Sequence, residues 1–435
     1  MTAQPAAREA RLRTDVFLTF GGKVGSLALA FAATVIVARQ LGPDGQGAFA
    51  VAYSLTLMMV QVGGLGLTTA NPYFVAQDAS RRAHVVANTL WLSLVLGAVL
   101  AGAGAALKVG VPSVVEGLGW TELGITLAGV PAALAGPFLQ SVLLGEGRMR
   151  AYNAVELGQN VVLVAALVAG FAALDMGTAG ALAALSGSRY LGAAGFLWVL
   201  ARPGRPPMRP ALGLAGEMLR FGFRAYVAIL MTFVVVRLDL LLVNAYQGNG
   251  EAGLYSIAAA IADGMYLLPT VVGLNLFARI ARGGETQTTA EVFRSVAVLY
   301  GLLCLVAVPI GIVGIPLVFG ERYDDTVPLF MWLLPGIYAL GMLTILAQHF
   351  AGRGFPLEAV LVWFPGIALN VAINVIWIPR EGTYIAPLSS SISYGLLLAL
   401  HVRLFAREVG GYGALRPSLG EVSRFVRVAL ARGPG

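Results

Sequence analysis

The sequence predicts an all-α polytopic membrane protein, with about twelve transmembrane helices in two six-helix pseudo-repeats and both termini cytoplasmic. Three observations carry that reading. Of the 435 residues, 58% are hydrophobic and 12% charged, whereas an ordinary soluble domain carries roughly 25% charged residues. Mean hydropathy is +0.79, more apolar surface than a water-soluble core can hide once it stops growing near ~250–300 residues. Second, the apolar residues fall into runs of the ~20 needed to cross a bilayer. Third, basic residues alternate between heavily and sparsely loaded connections.

Residues 1–15 form an N-terminal arm with Arg8, Arg11 and Arg13. The first apolar run, 16–38, is too long for a signal-peptide core and lacks a small-residue cleavage site, so it reads as the first span. Spans at 47–76, 85–107, 121–144, 153–174 and 180–201 complete a first lobe over 16–201. A basic linker, 202–220, leads to a second lobe over 221–406. Its spans are 221–245, 253–278, 292–319, 327–348, 358–378 and 385–406, and a basic cytoplasmic tail, 407–435, follows. Turn formers mark the connections, as in Gly42-Pro43-Asp44-Gly45 and Gly248-Asn249-Gly250.

With the N-terminus inside, cytoplasmic segments hold 19 basic residues and the opposite loops 4, namely Arg39, Lys108, Arg322 and Arg380. The positive-inside rule then places both termini in the cytoplasm. A shift of about 206 residues superposes the halves: Leu41-Gly42 and Gly47-Ala48-Phe49-Ala50 fall on Gln247-Gly248 and Gly253-Leu254-Tyr255-Ser256. At a shift of 205, Gly147-Arg148 falls on Gly352-Arg353, and Ser186 and Ser188 fall on Ser391 and Ser393. An even number of spans per copy makes both copies face the same way. Secondary transporters are built so, with the substrate at the repeat interface near the midplane.

The run Ala38-Arg39-Gln40-Leu41-Gly42-Pro43-Asp44-Gly45-Gln46-Gly47-Ala48-Phe49, followed by Gly63-Gly64-Leu65-Gly66-Leu67, resembles the first hairpin of the polysaccharide-biosynthesis flippases. These belong to the MATE-like multidrug/oligosaccharidyl-lipid/polysaccharide (MOP) exporter superfamily. The second half opens alike, with Arg237-Leu238-Asp239-Leu240-Leu241-Leu242 before Gly253-Leu254-Tyr255-Ser256. The resemblance implies a transporter in the cytoplasmic (inner) membrane. It would move a lipid-linked oligosaccharide, a polysaccharide precursor, to the outer leaflet by alternating access. The implied partners are the bilayer, a polyprenyl-linked glycan and glycan-assembly enzymes. Drug exporters of the same superfamily share these motifs, so a drug/cation antiporter is the alternative.

An ionisable side chain at mid-membrane costs at least ~2.5–3.5 kcal/mol on insertion scales and marks function by default. Lys23, Arg189 and Arg237 are the candidate substrate-binding cations, since an anionic headgroup is held best by charge-assisted hydrogen bonds. Asp239 and Asp263 are candidates for charge tuning or for a coupling ion, Na⁺ or H⁺. Pairing of Arg237 with Asp239 or Asp263, and snorkelling of Lys23, are the competing structural readings. Arg189 has no acidic partner in its own helix. Asn370 and Asn374, at i and i+4, share a helix face and suit either interhelical hydrogen bonds or a polar cavity lining.

What is missing narrows the class. No phosphate-binding loop, catalytic triad or metal motif appears, and Cys304, His84, His349 and His401 are scattered. No cofactor and no enzymatic activity are expected. The net charge of +7 sits in short runs between apolar spans, with no basic domain for nucleic acid. A membrane-embedded glycan polymerase is the remotest reading, because the longest external loop, about 108–120, is too short for a catalytic domain.

Overall fold

The architecture follows from where the chain can and cannot stay helical. It is seen in a computed structural model that describes residues 3–202, 209–354 and 356–416. Helix α1, Ala3–Gly63, starts within the predicted arm and runs through the first connection as one kinked rod. The kink is at Gly42, whose φ of 67° and ψ of −176° suit only glycine, and Pro43 follows with no amide to lose. Leu65 and Gly66 then take positive φ and end the rod, so the predicted span 47–76 is in fact broken before α2, Leu67–Gln77. Gly66 is required there: a side chain would meet the Gly222 backbone, with its Cβ 2.5 Å from the Gly222 Cα.

The remaining helices are α3 (Arg82–Gly110), α4 (Trp120–Gly145), α5 (Met149–Ala173), α6 (Thr178–Ala201), α7 (Leu212–Gln247), α8 (Asn249–Ala281), α9 (Thr286–Phe319), α10 (Thr326–Gly352), α11 (Leu357–Leu361), α12 (Trp363–Glu381) and α13 (Ile385–Val409). The predicted span 358–378 is divided at Val362. Pro365 then sits in the first turn of α12, where its missing N–H costs nothing. Among the described residues every regular element is helical, and nine helices are long and apolar enough to cross a membrane.

The chain divides into two compact units, Met1–Phe233 with Gly248–Gly253, and Val234–Gln247 with Leu254–Gly435. The division falls inside α7. The start of that helix is held in the first unit, where Asn88 on α3 exchanges two hydrogen bonds with the backbone of Ala211, at 2.7 and 3.1 Å. Tyr226 Oη also donates to the carbonyl of Val62 at 2.7 Å.

In the first unit α4 is the central helix and packs on α1, α2, α3 and α6. A core of Ala33, Val37, Leu163, Leu167, Ala181 and Leu185 joins α1, α5 and α6. In the second unit α10 is central and packs on α9 and α13. The internal repeat is visible in these contacts. Ser186 packs on Gly129 and donates to the carbonyl of Ile125 at 3.3 Å. Ser391 packs on Gly336 and donates to the carbonyl of Trp332 at 2.7 Å.

Helix ends are closed by charge. Arg82 and Arg148 both donate to Glu146, and they reach the carbonyls of Leu200 (2.6 Å) and Val199 (3.3 Å) at the end of α6. These capture two of the carbonyls that a helix C-terminus leaves without partners. In the second unit His349 lies between Thr289 Oγ1 (2.8 Å) and Glu408 Oε2 (3.2 Å) near the ends of α10 and α13.

Candidate functional site

The predicted site residues divide between the units. Lys23 and Arg189 lie in the first; Arg237, Asp239, Asp263, Asn370 and Asn374 lie in the second.

Arg189 sits at the middle of α6, pinned on both sides. Ser186 holds to α4 as described, and Tyr190 Oη donates to the Ala128 carbonyl at 2.6 Å. Arg189 is half-buried as a residue, and its guanidinium lies 5.5 Å from the ring centroid of Tyr53 in the distal part of α1. No carboxylate pairs with it among the described residues. A cation over an aromatic face is worth up to ~2 kcal/mol when desolvated, less than the ~2.5–3.5 kcal/mol that a central charge costs in a membrane. The ring offsets only part of that cost, and among the described residues no hydrogen bond engages the guanidinium.

Lys23 lies roughly midway between the start of α1 and the Gly42 kink. Its Nζ donates to Glu156 Oε1 on α5 at 2.7 Å, and Gln140 on α4 donates to Glu156 Oε2 at 2.7 Å. The lysine side chain is 54% exposed and the glutamate 22%, so the cation is the outer member of the pair.

The second unit closes its charges on one another. Arg237 Nη2 donates to Asp263 Oδ2 at 2.5 Å, pairing consecutive helices α7 and α8. Asp239 is buried and accepts from three donors: the Leu240 amide at 2.9 Å, Ser390 Oγ at 3.0 Å, and Tyr255 Oη. Beside it, Ser389 Oγ donates to Asn374 Oδ1 at 2.5 Å, and Asn374 donates to Asn370 Oδ1 at 3.2 Å. Asn370 and Asn374 are therefore buried in the α12–α13 contact and share the face that their spacing predicts.

Tyr53, Tyr255 and Ser390 are absent from the sequence-based site. The signal for Ser390 was the Ser389-Ser390-Ser391 run, a polar cluster inside an apolar span. The tyrosines carried none, since an isolated Tyr in a span reads as packing. By sequence Glu156, near the cytoplasmic end of its span, reads as an interface anchor and Gln140 as an interhelical hydrogen-bonding residue; their link to Lys23 becomes evident only once α1, α4 and α5 are packed.

The family model described as polysaccharide biosynthesis protein matches residues 12–266. Comparison with curated protein sequences finds no match. Among solved structures, the chain is similar to the lipid II flippase MurJ in an inward closed conformation, with TM-score 0.73 at 11% identity over 97% of this chain and 93% of that one. It is also similar to an inward-facing multidrug resistance MATE family transporter of the MOP superfamily, with TM-score 0.67 at 14% identity over 94% and 96% of the two chains. A MOP superfamily transporter from Pyrococcus furiosus matches with TM-score 0.60 at 13% identity, over 92% and 95%. Likeness at such identities is a likeness of fold, and with the family match it settles the assignment: the chain belongs to the polysaccharide biosynthesis protein family and is a multi-pass helical membrane protein with the MurJ- and MATE-like fold.

Proposed function

We propose that the protein is a twelve-helix secondary transporter of the cytoplasmic membrane, with both termini inside. It carries a lipid-linked oligosaccharide from the inner to the outer leaflet by alternating access. The twelve crossings are the nine apolar helices, a division of α1 at Gly42, and α6 and α7. The protein performs no covalent chemistry and needs no cofactor; its partners are the bilayer, the polyprenyl-linked glycan and the enzymes that assemble it.

The observation that carries this reading is Arg189: a guanidinium at mid-helix with a ring beside it and, among the described residues, no carboxylate. A phosphate or pyrophosphate headgroup fits the vacant fork bidentately, and Lys23 is a second cation for it. Lys23 and Arg237 are each already paired, so Arg189 has the most to gain from an anion. Outward movement of two negative charges gains ~4.6 kcal/mol per 100 mV of inside-negative potential, enough to drive the step. Buried Asp239, with its Tyr255 and Ser390 donors, is the place for a coupling ion, Na⁺ or H⁺, and Asp263 tunes the field around it through Arg237.

The test is Arg189→Ala. Glycan export is expected to stop while membrane abundance stays near normal, and Arg189→Lys should keep part of the activity because charge survives without the fork. Normal export by the alanine variant would remove Arg189 from the site. The MATE-like fold also suits a drug/cation antiporter; cation extrusion that survives Arg189→Ala but fails in Asp239→Asn would favour that reading instead.

A further inference from the structure

We propose that Glu156 is an exchangeable counterion: it neutralises Lys23 in the empty carrier, yields it to an incoming anionic headgroup, and takes a proton from water as it does so. This rests on the reading that the substrate's headgroup is an anion.

Three observations point to exchange rather than a fixed brace. The pair is asymmetric, with the ammonium 54% exposed and the carboxylate 22% exposed. An anion approaching from the open side meets the lysine first and need not pass the glutamate. Glu156 is also held from behind by an uncharged donor, Gln140 Nε2 at 2.7 Å. Gln140 can stay bonded to the carbonyl oxygen of a neutral carboxylic acid as well as to a carboxylate. Third, Asn153, one turn before Glu156 on the same face of α5, is buried with its Nδ2 lacking any hydrogen-bond partner. It packs against Gly22, the residue before Lys23, whose added Cβ would lie 3.1 Å from the Asn153 Cβ. A buried amide without an acceptor is costly, so the contact between this part of α5 and α1 is not a fully satisfied brace.

The groups around Glu156 determine what happens when the lysine leaves. Lys23 faces it from α1 and Tyr152 lies within electrostatic range on its own helix. From α4 comes the Gln140 amide, while α6 approaches α5 with Gly192 and Gly195. No second cation replaces Lys23 in this set. Once a headgroup draws the lysine away, no cation among the described neighbours remains beside the recessed carboxylate, and a buried charge without a partner is costly. The exchange balances: the Lys23–Glu156 ion pair, a headgroup anion and one proton give a Lys23–headgroup ion pair and a neutral Glu156. Release of the headgroup reverses each step.

The experiment uses the purified full chain in detergent micelles with farnesyl diphosphate as the probe. Calorimetry in two buffers of different ionisation heat counts protons taken up per probe bound. The wild type is expected to take up about one proton more than Glu156→Gln. Its affinity should therefore fall, relative to that variant, by about tenfold per pH unit wherever the free carboxylate is ionised. Glu156→Gln should bind more tightly at neutral pH, since nothing competes for Lys23. Lys23→Gln should bind weakly and show no excess proton uptake, which provides the same test should Glu156→Gln fail to fold. A purely structural brace would alter protein yield and leave the proton count unchanged. Equal proton counts and affinities in the wild type and Glu156→Gln, with binding still lost in Arg189→Ala, would overturn the exchange and leave the headgroup reading standing. Absence of probe binding to the wild type would overturn both.

Discussion

Gly47 and Gly253 provide a stability test whose size follows from the packing. They stand 206 residues apart, at the same position in the two sequence repeats, and their backbones touch reciprocally. A Cβ on Gly47 would overlap the Asn249 carbonyl and lie 2.9 Å from the Gly253 nitrogen; one on Gly253 would overlap the Pro43 carbonyl and lie 3.0 Å from the Gly47 nitrogen. Every obstructing atom is backbone, so no side-chain rotation relieves the clash and the helices must part. Overpacking of this kind costs typically ~1–3 kcal/mol. The helix-propensity gain of Gly→Ala returns only about 1 kcal/mol, so Gly47→Ala should lower the melting temperature in detergent by about 1–2 °C in a chain of this length. Gly102 on α3, with nothing within 4 Å of an added Cβ, is the internal control. Gly102→Ala should stabilise by ~0.5–1 kcal/mol. Thermal unfolding of the two variants side by side decides the matter. If Gly47→Ala melts with or above the wild type, the close approach does not exist in the protein.

Three further outcomes are expected. Arg237→Ala and Asp263→Ala should each cost about 1–3 kcal/mol in the same melting assay, below the figure for a fully buried pair because Asp263 is 40% exposed; the double variant should lose less than the sum, and strict additivity would mean that the pair is not coupled. Asp239→Asn keeps the size of the side chain but removes the charge held by Tyr255 and Ser390, so transport should lose its dependence on a Na⁺ or H⁺ gradient while protein abundance persists; unchanged ion dependence would exclude Asp239 as the ion site. Reporters fused after Arg150 or Arg209 should read cytoplasm and one within 108–120 the outside; an external signal at both arginines would reverse the orientation.

The helices were legible in the sequence because apolar length and turn glycines are local signals. Gly42 and Gly248, chosen as turn residues from composition, both have positive φ, of 67° and 85°. Where the reading failed, the cause was not local. The chain turns at Leu65 and Gly66 inside an apolar run, and the glycine needed there is fixed by a residue distant in sequence, Gly222, whose backbone leaves no room for a side chain. The site was legible in the same partial way. Charges within spans identify themselves by their cost, and the Arg237–Asp263 pair could be named as an option from their matching depth. The partner of Lys23 could not, since Glu156 lies 133 residues away and nothing in its own helix points to α1. Asp239 stood out, whereas Tyr255 and Ser390, which make its burial tolerable, carry no charge.

The two repeats treat charge differently on the same scaffold. Ser186 and Ser391 make the same contact with the central helix of their own unit. Three residues on, the first copy has Arg189 and the second Tyr394. Arg189 is left with a ring, while Tyr394 is buried within the electrostatic range of Asp239. A scaffold requirement would act on both copies alike, so it cannot explain why one carries a cation and the other a phenol. The second unit satisfies its charges internally, through Arg237 with Asp263 and through the three donors on Asp239. In the first, no carboxylate among the described residues pairs with Arg189, and Lys23 lies on the outer side of its pair. On the proposed reading this separates the tasks: the first unit recognises the anionic headgroup, and the second, closed around a carboxylate, responds to the small cation. Such a separation lets substrate chemistry diverge in one repeat without disturbing the ion chemistry of the other.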